Sequence, residues 1–386
     1  MYVYELSLYA SLDYRFPGAQ PVSFAKHHLE ELQHENYFVS EKADGIRCFM
    51  YATRSTTANK VWTFLIDRKN NYYLQPNLWL PSAENIGNPQ IETLLDGELV
   101  LDQYPDGRKS TIFYLFDCLV CNGKNLCERS YEKRLGHLRE LVLKPYKKRV
   151  KSHPEYASLH AFRIEEKPLQ LAYHVRKVFE DMPTLLHLND GVIFTSATAP
   201  YEAGTCEKMI KWKPVDENTV DFRIRIDDTN AGDWKVYLDI FSGVYGEPTY
   251  QRIGELTLDD ALRDEWKAHP PQSGRIAECR YDSSATTHWK FSRWRDDKDE
   301  ANHISVYAKI MQSIADAVAK EELIATSTDI QRAWYARDGK PLPPSSDVSS
   351  LKRSSTAGGE DHEPSNNDAS SSVGGDANGN KRARGS

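Results

Sequence analysis

Lys42 sits in the run Lys42-Ala43-Asp44-Gly45-Ile46-Arg47, between two segments with strand-like patterns. Asp-Gly favours a tight turn, which would present the lysine at a strand end instead of burying it. A protonated lysine is a poor nucleophile and becomes a useful one when neighbouring cations or desolvation lower its pKa. A hairpin turn with an exposed lysine is the plain alternative, and the run alone does not choose between them. Asp96 and Glu98, in Asp96-Gly97-Glu98, share one face of a strand by its period of two, and Asp190 opens the apolar strand Gly191-Val192-Ile193-Phe194. Carboxylates at strand ends near a phosphate-binding lysine suit Mg²⁺, a hard cation that prefers oxygen. Each alone could equally be a turn residue in water. Lys211 and Lys213 flank Trp212, so two ammonium groups point to one side and the indole to the other. Compact charges beside apolar residues fit non-bridging phosphate oxygens, although an edge strand that resists pairing would also carry them.

Those side chains need a scaffold of strands. Residues 37–40, 46–53, 61–67, 93–102 and 111–120 are rich in branched and aromatic residues, with Arg68-Lys69-Asn70-Asn71 as a turn after the third. Helical spacing of Leu135, Leu138, Leu141 and Val142 predicts a helix over 131–146, closed by Pro145. A second helix is expected over 169–182, and strands return at 191–196 and 207–213. After Pro214 come five short strands, VDFRIRI, WKVYLDIF, YQRIGELTL, GRIAECRYD and HWKFSRWR, which suit a small oligonucleotide-binding (OB) barrel. A helical pattern follows at 304–320. The predicted fold class is α+β: a first domain over 1–217, a second over 218–338, and a tail over 339–386. Ser, Gly, Asn, Pro and Asp dominate that tail, which cannot offset its ordering entropy and is expected to be disordered.

Composition sets outer limits. The 386 residues suggest about two or three domains. With 49 Lys and Arg against 56 Asp and Glu, the net charge is −7, so any nucleic-acid contact must come from a local basic groove. The longest apolar runs fall far short of the roughly 20 residues a membrane span needs, and no signal peptide is evident. Six cysteines are too few for a disulfide scaffold. Cys118-x-x-Cys121 with Cys127 lacks a second pair to complete a zinc site, which points to buried thiols. His27-His28 is expected at the surface. The basic run Lys144 to Lys151 could track RNA phosphates or end a helix in water.

Taken in order, Lys42-x-Asp44-Gly45-x-Arg47, Asp96-Gly97-Glu98, Phe113-x-x-Phe116-Asp117, Asp190-Gly191-Val192-Ile193-Phe194 and Lys211-Trp212-Lys213-Pro214 resemble the motifs of the covalent nucleotidyltransferases. That superfamily contains polynucleotide ligases and mRNA capping guanylyltransferases. The segment from Phe16 to Ser23, Pro200-Tyr201 with Gly204-Thr205, and Arg293-x-Arg295-x-Asp297-Lys298 are similar to the capping family. The match spans about 15 to 310. Without a Cys-x₅-Arg phosphatase signature, the chain resembles the fungal type, whose RNA 5′-triphosphatase is a separate subunit.

The resemblance implies a nucleotidyltransferase domain of antiparallel sheets with flanking helices, ATP-grasp-like as in ligases, under an OB-fold lid. It implies that Lys42 attacks the α-phosphate of GTP to form a lysyl-N-GMP, which passes to the 5′-diphosphate end of RNA. Arg47 and Glu98 would contact the ribose, and Asp44 would belong to the nucleotide site. Phe113 would stack on guanine, and Asp190, with Glu98 a second candidate, would hold Mg or Mn. Lys211 and Lys213 would neutralise the α-phosphate, and Arg293, Arg295, Asp297 and Lys298 would engage the β,γ-phosphates when the lid closes. Further implications are the phosphorylated tail of RNA polymerase II as a partner and the nucleus as the location, with Lys381-Arg382-Ala383-Arg384 a possible import signal. The family usually carries a longer segment ahead of Phe16. An ATP-dependent ligase and a non-catalytic RNA-binding scaffold are the competing readings.

Overall fold

A computed structural model describes residues 16–55, 60–227, 235–243, 249–285 and 287–342. Strand β1 (Ala19–Ser23) and helix α1 (His27–His34) lead into β2 (Tyr37–Ala43), and the chain turns at Asp44-Gly45 into β3 (Ile46–Arg54). Next come β4 (Val61–Asp67), β5 (Tyr72–Leu74), β6 (Thr93–Gln103), β7 (Lys109–Cys121) and β8 (Lys124–Asn125). The first module ends with α2 (Tyr131–His137), α3 (Lys144–Ser152), α4 (Pro154–Ser158), β9 (Arg163–Glu166), β10 (Gln170–Leu171), α5 (Val175–Asp181), β11 (Asn189–Ser196) and β12 (Gly204–Trp212).

Two sheets result. One runs β5-β4-β3-β6-β7-β8 with antiparallel neighbours, and β9 pairs parallel to β7. The other runs β1-β12-β11-β2-β10. Consecutive strands β2 and β3 therefore lie in different sheets, and Asp44-Gly45 is a crossing between sheets instead of a hairpin. Gly45 is required there, because a Cβ would stand 2.6 Å from the Leu99 carbonyl oxygen. One sheet buries Met50, Leu95 and Leu115 against Leu135, Leu138 and Val142, and the other buries Val39, Phe194 and Trp212 against Val175 and Phe179.

Two helices differ from expectation. The one predicted over 131–146 continues to Ser152 through a π-helix at Leu138–Leu143, and Pro145 falls in the first turn of α3. Pro145 follows directly on the π-helix, and the Leu141 carbonyl four residues before it accepts from the Gln90 side-chain amide, so the missing N–H does not stop the helix. The stretch 169–182 divides into β10, a 3₁₀ turn at Ala172–His174 and α5. Gln170 and Leu171 pair with Val39 and Phe38 of β2, a tertiary pairing that overrides their helical spacing. His28 also departs from its expected surface position. It is buried, its Nδ1 accepts from the Ala25 N–H at 2.8 Å, and its ring packs on Phe24.

The second module contains β13 (Thr219–Asp227), β14 (Lys235–Phe241), β15 (Tyr250–Glu255), α6 (Asp260–Ala268), β16 (Ile276–Tyr281) and β17 (Trp289–Trp294). Its antiparallel sheet runs β15-β14-β13-β16-β17, and Thr257 bridges to Lys290 of β17, curling the sheet toward closure as in an OB fold. The helix expected over 304–320 stops early. α7 (Ile304–Ala315) lays Tyr307 and Ile310 on the curled sheet, and the chain then turns into α8 (Lys320–Arg337). Leu323 and Ile330 of α8 enter the core of the first module together with Val318. The last helix of the expected 218–338 domain thus packs with residues of the first, where its apolar positions find burial. The tail beyond Leu342, including Lys381-Arg382-Ala383-Arg384, lies outside the described residues. Among the described residues no helix is long and apolar enough to cross a membrane.

Candidate functional site

The two sheets of the first module face each other across a cleft that opens to solvent. Lys42, near the end of β2, donates from Nζ to Asp190 Oδ1 at 2.7 Å, and Lys213 pairs with the other oxygen of the same carboxylate. β11 lies between β2 and β12, which is how residues so distant in sequence meet. The β11–β2 register shifts between Asn189 and Val192. Gly191 sits in that irregularity at φ 152°, and a Cβ on it would stand 2.0 Å from the Trp212 carbonyl oxygen. Only glycine fits, and the shift sets how Asp190 meets Lys42.

On the facing sheet Arg47 is buried and bidentate to Asp96, with Nε to Oδ1 at 3.0 Å and Nη2 to Oδ2 at 2.6 Å. Its Nη1 donates to the Ala19 carbonyl, and the Tyr201 hydroxyl donates to Asp96 Oδ2 at 2.7 Å. Burial opposes the guanidinium charge, but Asp96 outweighs it and holds Arg47 firmly protonated. Asp96 therefore serves to fix Arg47. Glu98 lies directly across from Arg47 in the β3–β6 register and lines the cleft. Its burial raises its pKa against the pull of Lys167, Lys42, Arg47 and Arg68.

Phe113 requires a correction. Its side chain is wholly buried in the core and does not line the cleft. The β6–β7 register shifts by one between Asp96 and Gly97, so Asp96 faces Asp117 while Gly97 faces Leu115. Phe116 is the extra residue of that bulge, and it lines the cleft within 5.6 Å of the Arg47 guanidinium. Strict alternation already sets Phe116 opposite Phe113 and Leu115; what it cannot reveal is the bulge that turns Asp117 to the cleft beside Phe116.

From the cleft wall a buried polar chain runs inward that motif reasoning passed over. Lys167 pairs with Glu41 Oε1, His187 Nε2 lies 3.1 Å from the same oxygen, and His187 Nδ1 lies 2.9 Å from Asp102 Oδ1. Hydrogen bonding to Glu41 raises the His187 pKa, against the effect of burial. The available signals were slight: Glu41 immediately precedes Lys42, and Lys167 precedes a proline just after β9. Arg68, expected only in a turn, also lines the cleft, and burial beside Arg47 lowers its pKa.

Lys211 and Lys213 line a second cavity beside Ser313 and Val318. Burial, then Lys213, Lys42 and Arg68, lowers the pKa of Lys211. Trp212 also borders this cavity and donates from Nε1 to the Val318 carbonyl at 2.8 Å. Asp44 is exposed at the crossing turn, and its N–H donates to the Leu188 carbonyl at 2.8 Å. The cluster at 293–298 does not line the cleft and is paired within its own module. Arg293 holds Glu278 at 3.0 Å, Arg295 holds Asp221 at 3.0 Å and Asp297 at 2.9 Å, and Lys298 also holds Asp221.

Among the described residues no three His, Cys, Asp or Glu side chains gather to cage a metal. Asp190 and Glu98 offer oxygen donors only. One or two carboxylates, with phosphate oxygens and water completing the shell, is the set Mg²⁺ accepts in phosphate sites. The residues fit a cation shared with a nucleotide.

Residues 4–215 match the family model for the mRNA capping enzyme, catalytic domain, and residues 217–324 match that for the mRNA capping enzyme, C-terminal domain. The mRNA-capping enzyme subunit alpha of Schizosaccharomyces pombe is 38% identical over 332 residues, covering 83% of this chain and 82% of that protein. The subunit of the same name from Yarrowia lipolytica is 39% identical, covering 84% and 85% respectively. That from Saccharomyces cerevisiae is 34% identical, covering 88% and 86%. A solved mycobacterial DNA ligase D, complexed with ATP and MES, shares 17% identity at a TM-score of 0.36, over 73% of this chain and 94% of that one. At that distance no chemistry transfers.

Proposed function

The chain belongs to the mRNA capping enzyme family and is a guanylyltransferase that uses GTP, and from that premise we propose that Lys42 carries GMP from GTP to the 5′-diphosphate end of RNA. The observation that carries this reading is the Lys42 ammonium, held at 2.7 Å by Asp190 in a cleft lined by Arg47, Arg68 and Lys167. In the first step Nζ bonds to the α-phosphorus, the bond to the bridging oxygen breaks, and pyrophosphate leaves with the electron pair. The proton lost from Nζ has an acceptor in contact at Asp190 Oδ1. In the second step a terminal oxygen of the RNA diphosphate attacks the same phosphorus, the N–P bond breaks, and the amine leaves to regain a proton.

Arg47, held by Asp96 through Nε and Nη2 and by the Ala19 carbonyl through Nη1, is preorganised beside Glu98 to meet the ribose. Phe116 takes over the stacking role expected of Phe113, and Lys211 and Lys213 bring positive charge toward the α-phosphate. Asp190 with Glu98 would hold Mg or Mn, which would supply charge neutralisation on the phosphates. The relatives' designation as subunit alpha supports a partner subunit, proposed to be an RNA 5′-triphosphatase. The phosphorylated polymerase tail as a partner and the nucleus as the location, served by Lys381 to Arg384, are proposed because nascent transcripts are capped there.

The test is incubation with divalent metal and GTP or ATP, radiolabelled at the α-phosphate, followed by denaturing electrophoresis. Label from GTP, lost in Lys42→Arg, is expected, because arginine keeps the charge but cannot supply a neutral amine. Label from ATP alone, or label retained in Lys42→Arg, would overturn the assignment.

A further inference from the structure

Along β13 and β14 the core residues Phe222, Ile224, Leu238 and Ile240 alternate with Arg223, Arg225, Tyr237 and Asp239, which share the outer face of the sheet. Asp239 faces Arg223 in one strand neighbour and Arg252 in the other. Arg225 pairs with its carboxylate at 2.5 Å and Arg252 stands 4.0 Å away. Arg223 has no carboxylate within ion-pair distance among the described residues. It lies instead over the Tyr250 ring at 4.5 Å, while Arg252 lies over Tyr237 at 3.6 Å. Asp221, Asp227 and Glu255 lie farther along the same face, while the three guanidiniums have one carboxylate, Asp239, within ion-pair distance among the described residues. Asp239 Oδ1, buried beneath them, keeps no hydrogen-bond partner.

The patch adjoins the lid cluster. Asp221 lies two residues before Arg223 on the same face of β13, and it is the carboxylate that holds Arg295 and Lys298. A surface that carries the Arg295 and Lys298 cations at one end thus continues into cationic, planar stacks at the other.

We propose that this outer face binds the single-stranded RNA chain behind its 5′ end. The guanidiniums take backbone phosphates, and the arginine-on-tyrosine stacks give bases a flat cationic platform. An acidic protein segment would match the charge but make no use of the planar stacks. The inference rests on the reading of the chain as a guanylyltransferase acting on RNA.

The full chain carrying Arg223→Ala and Arg252→Ala tests it, with 5′-diphosphate acceptors of two lengths, a dinucleotide and a long RNA. The KM for the long RNA should rise about fivefold or more, and the slope of log affinity against log salt should shrink by about 1.4, roughly 0.7 per lost phosphate contact. The KM for the dinucleotide, the labelling of Lys42 by GTP, and the melting temperature should not move. The paired Arg→Lys variant should keep most of the salt slope. An unchanged KM and slope for the long RNA would overturn the proposal and leave an acidic protein as the fitting partner. Loss of Lys42 labelling in the double variant would also overturn it, by placing the arginines with the lid. If alanine lowered the melting temperature, Arg223→Gln with Arg252→Gln keeps the stems over the rings and is read the same way. Should wild-type protein take no label from GTP, the guanylyltransferase reading fails separately. Fluorescence anisotropy of the long RNA with wild-type and variant protein, without nucleotide, still decides whether the face binds RNA.

Discussion

Lys211 is half-buried, and its pKa is lowered first by burial and then by Lys213, Lys42 and Arg68. An ammonium held this way costs stability while it waits for a phosphate. The sign follows from linkage. Between the lowered folded pKa and the ordinary value of 10.5 the unfolded chain binds more protons, so stability contributed by this group rises with pH in that window. Lys211→Met is therefore expected to raise the stability of the protein at neutral pH by about 0.5–2 kcal/mol. That advantage should close as the pH climbs toward 10.5, and GMP labelling should fall by roughly 10²–10³. Urea melts at neutral and alkaline pH, alongside the labelling assay, read all three. An advantage that widened with pH would contradict the assigned cause.

Among the elements, the shift in β11 and the placement of α8 govern the site. Gly191→Ala forces a Cβ onto the Trp212 carbonyl at 2.0 Å. It should cost about 2–4 kcal/mol and abolish labelling, since β11 and β12 must part and Asp190 moves off Lys42. A Gly191→Ala protein that melted like wild type and took up GMP would refute this account of the turn. α8 is coupled to the same sheet through Trp212, which donates to Val318, and through the burial of Leu323 and Ile330. Ending the chain after Ala319 removes two buried aliphatic side chains and should destabilise the first module by about 3–6 kcal/mol. Ending it after Leu342 should leave both the melting temperature and GMP transfer unchanged. Equal melting temperatures for the two truncations would mean that α8 is not part of that core.

Across the whole molecule, the cations expected to grip the leaving phosphates are neutralised by their own module. Arg295 is spread over Asp221, Glu278 and Asp297. Gripping pyrophosphate means exchanging those carboxylates for phosphate oxygens, an exchange that closing and reopening of the second module would make and reverse. Arg295→Ala should therefore raise the barrier to forming lysyl-GMP by roughly 2–4 kcal/mol while barely slowing transfer from preformed lysyl-GMP to RNA. Single-turnover rates of the two half-reactions check this, and equal slowing of both would disprove a lid that acts only in the first.

The sequence by itself determined the strands, the motif order and the chemistry. Alternating branched residues mark β2, β3, β4 and β6, and the ordered motifs around Lys42, Glu98, Asp190 and Lys211 narrow the function to nucleotidyl transfer. The strands are local signals written in side-chain period, and the function follows from the resemblance that the ordered motifs carry. What only the tertiary structure decided depends on pairing between distant strands. The Asp44-Gly45 turn reads as a hairpin until β2 and β3 prove to lie in different sheets. Phe116, not Phe113, faces the cleft because Phe113 and Leu115 turn to the core, which alternation alone does not choose, and the bulge at Phe116 brings Asp117 to the cleft as well. Glu41, His187 and Asp102 leave no motif, because their relation exists only once β2, β6 and the segment before β11 are packed together. α8 joins the first core because burial, which sequence order does not constrain, decides where an apolar stripe comes to rest.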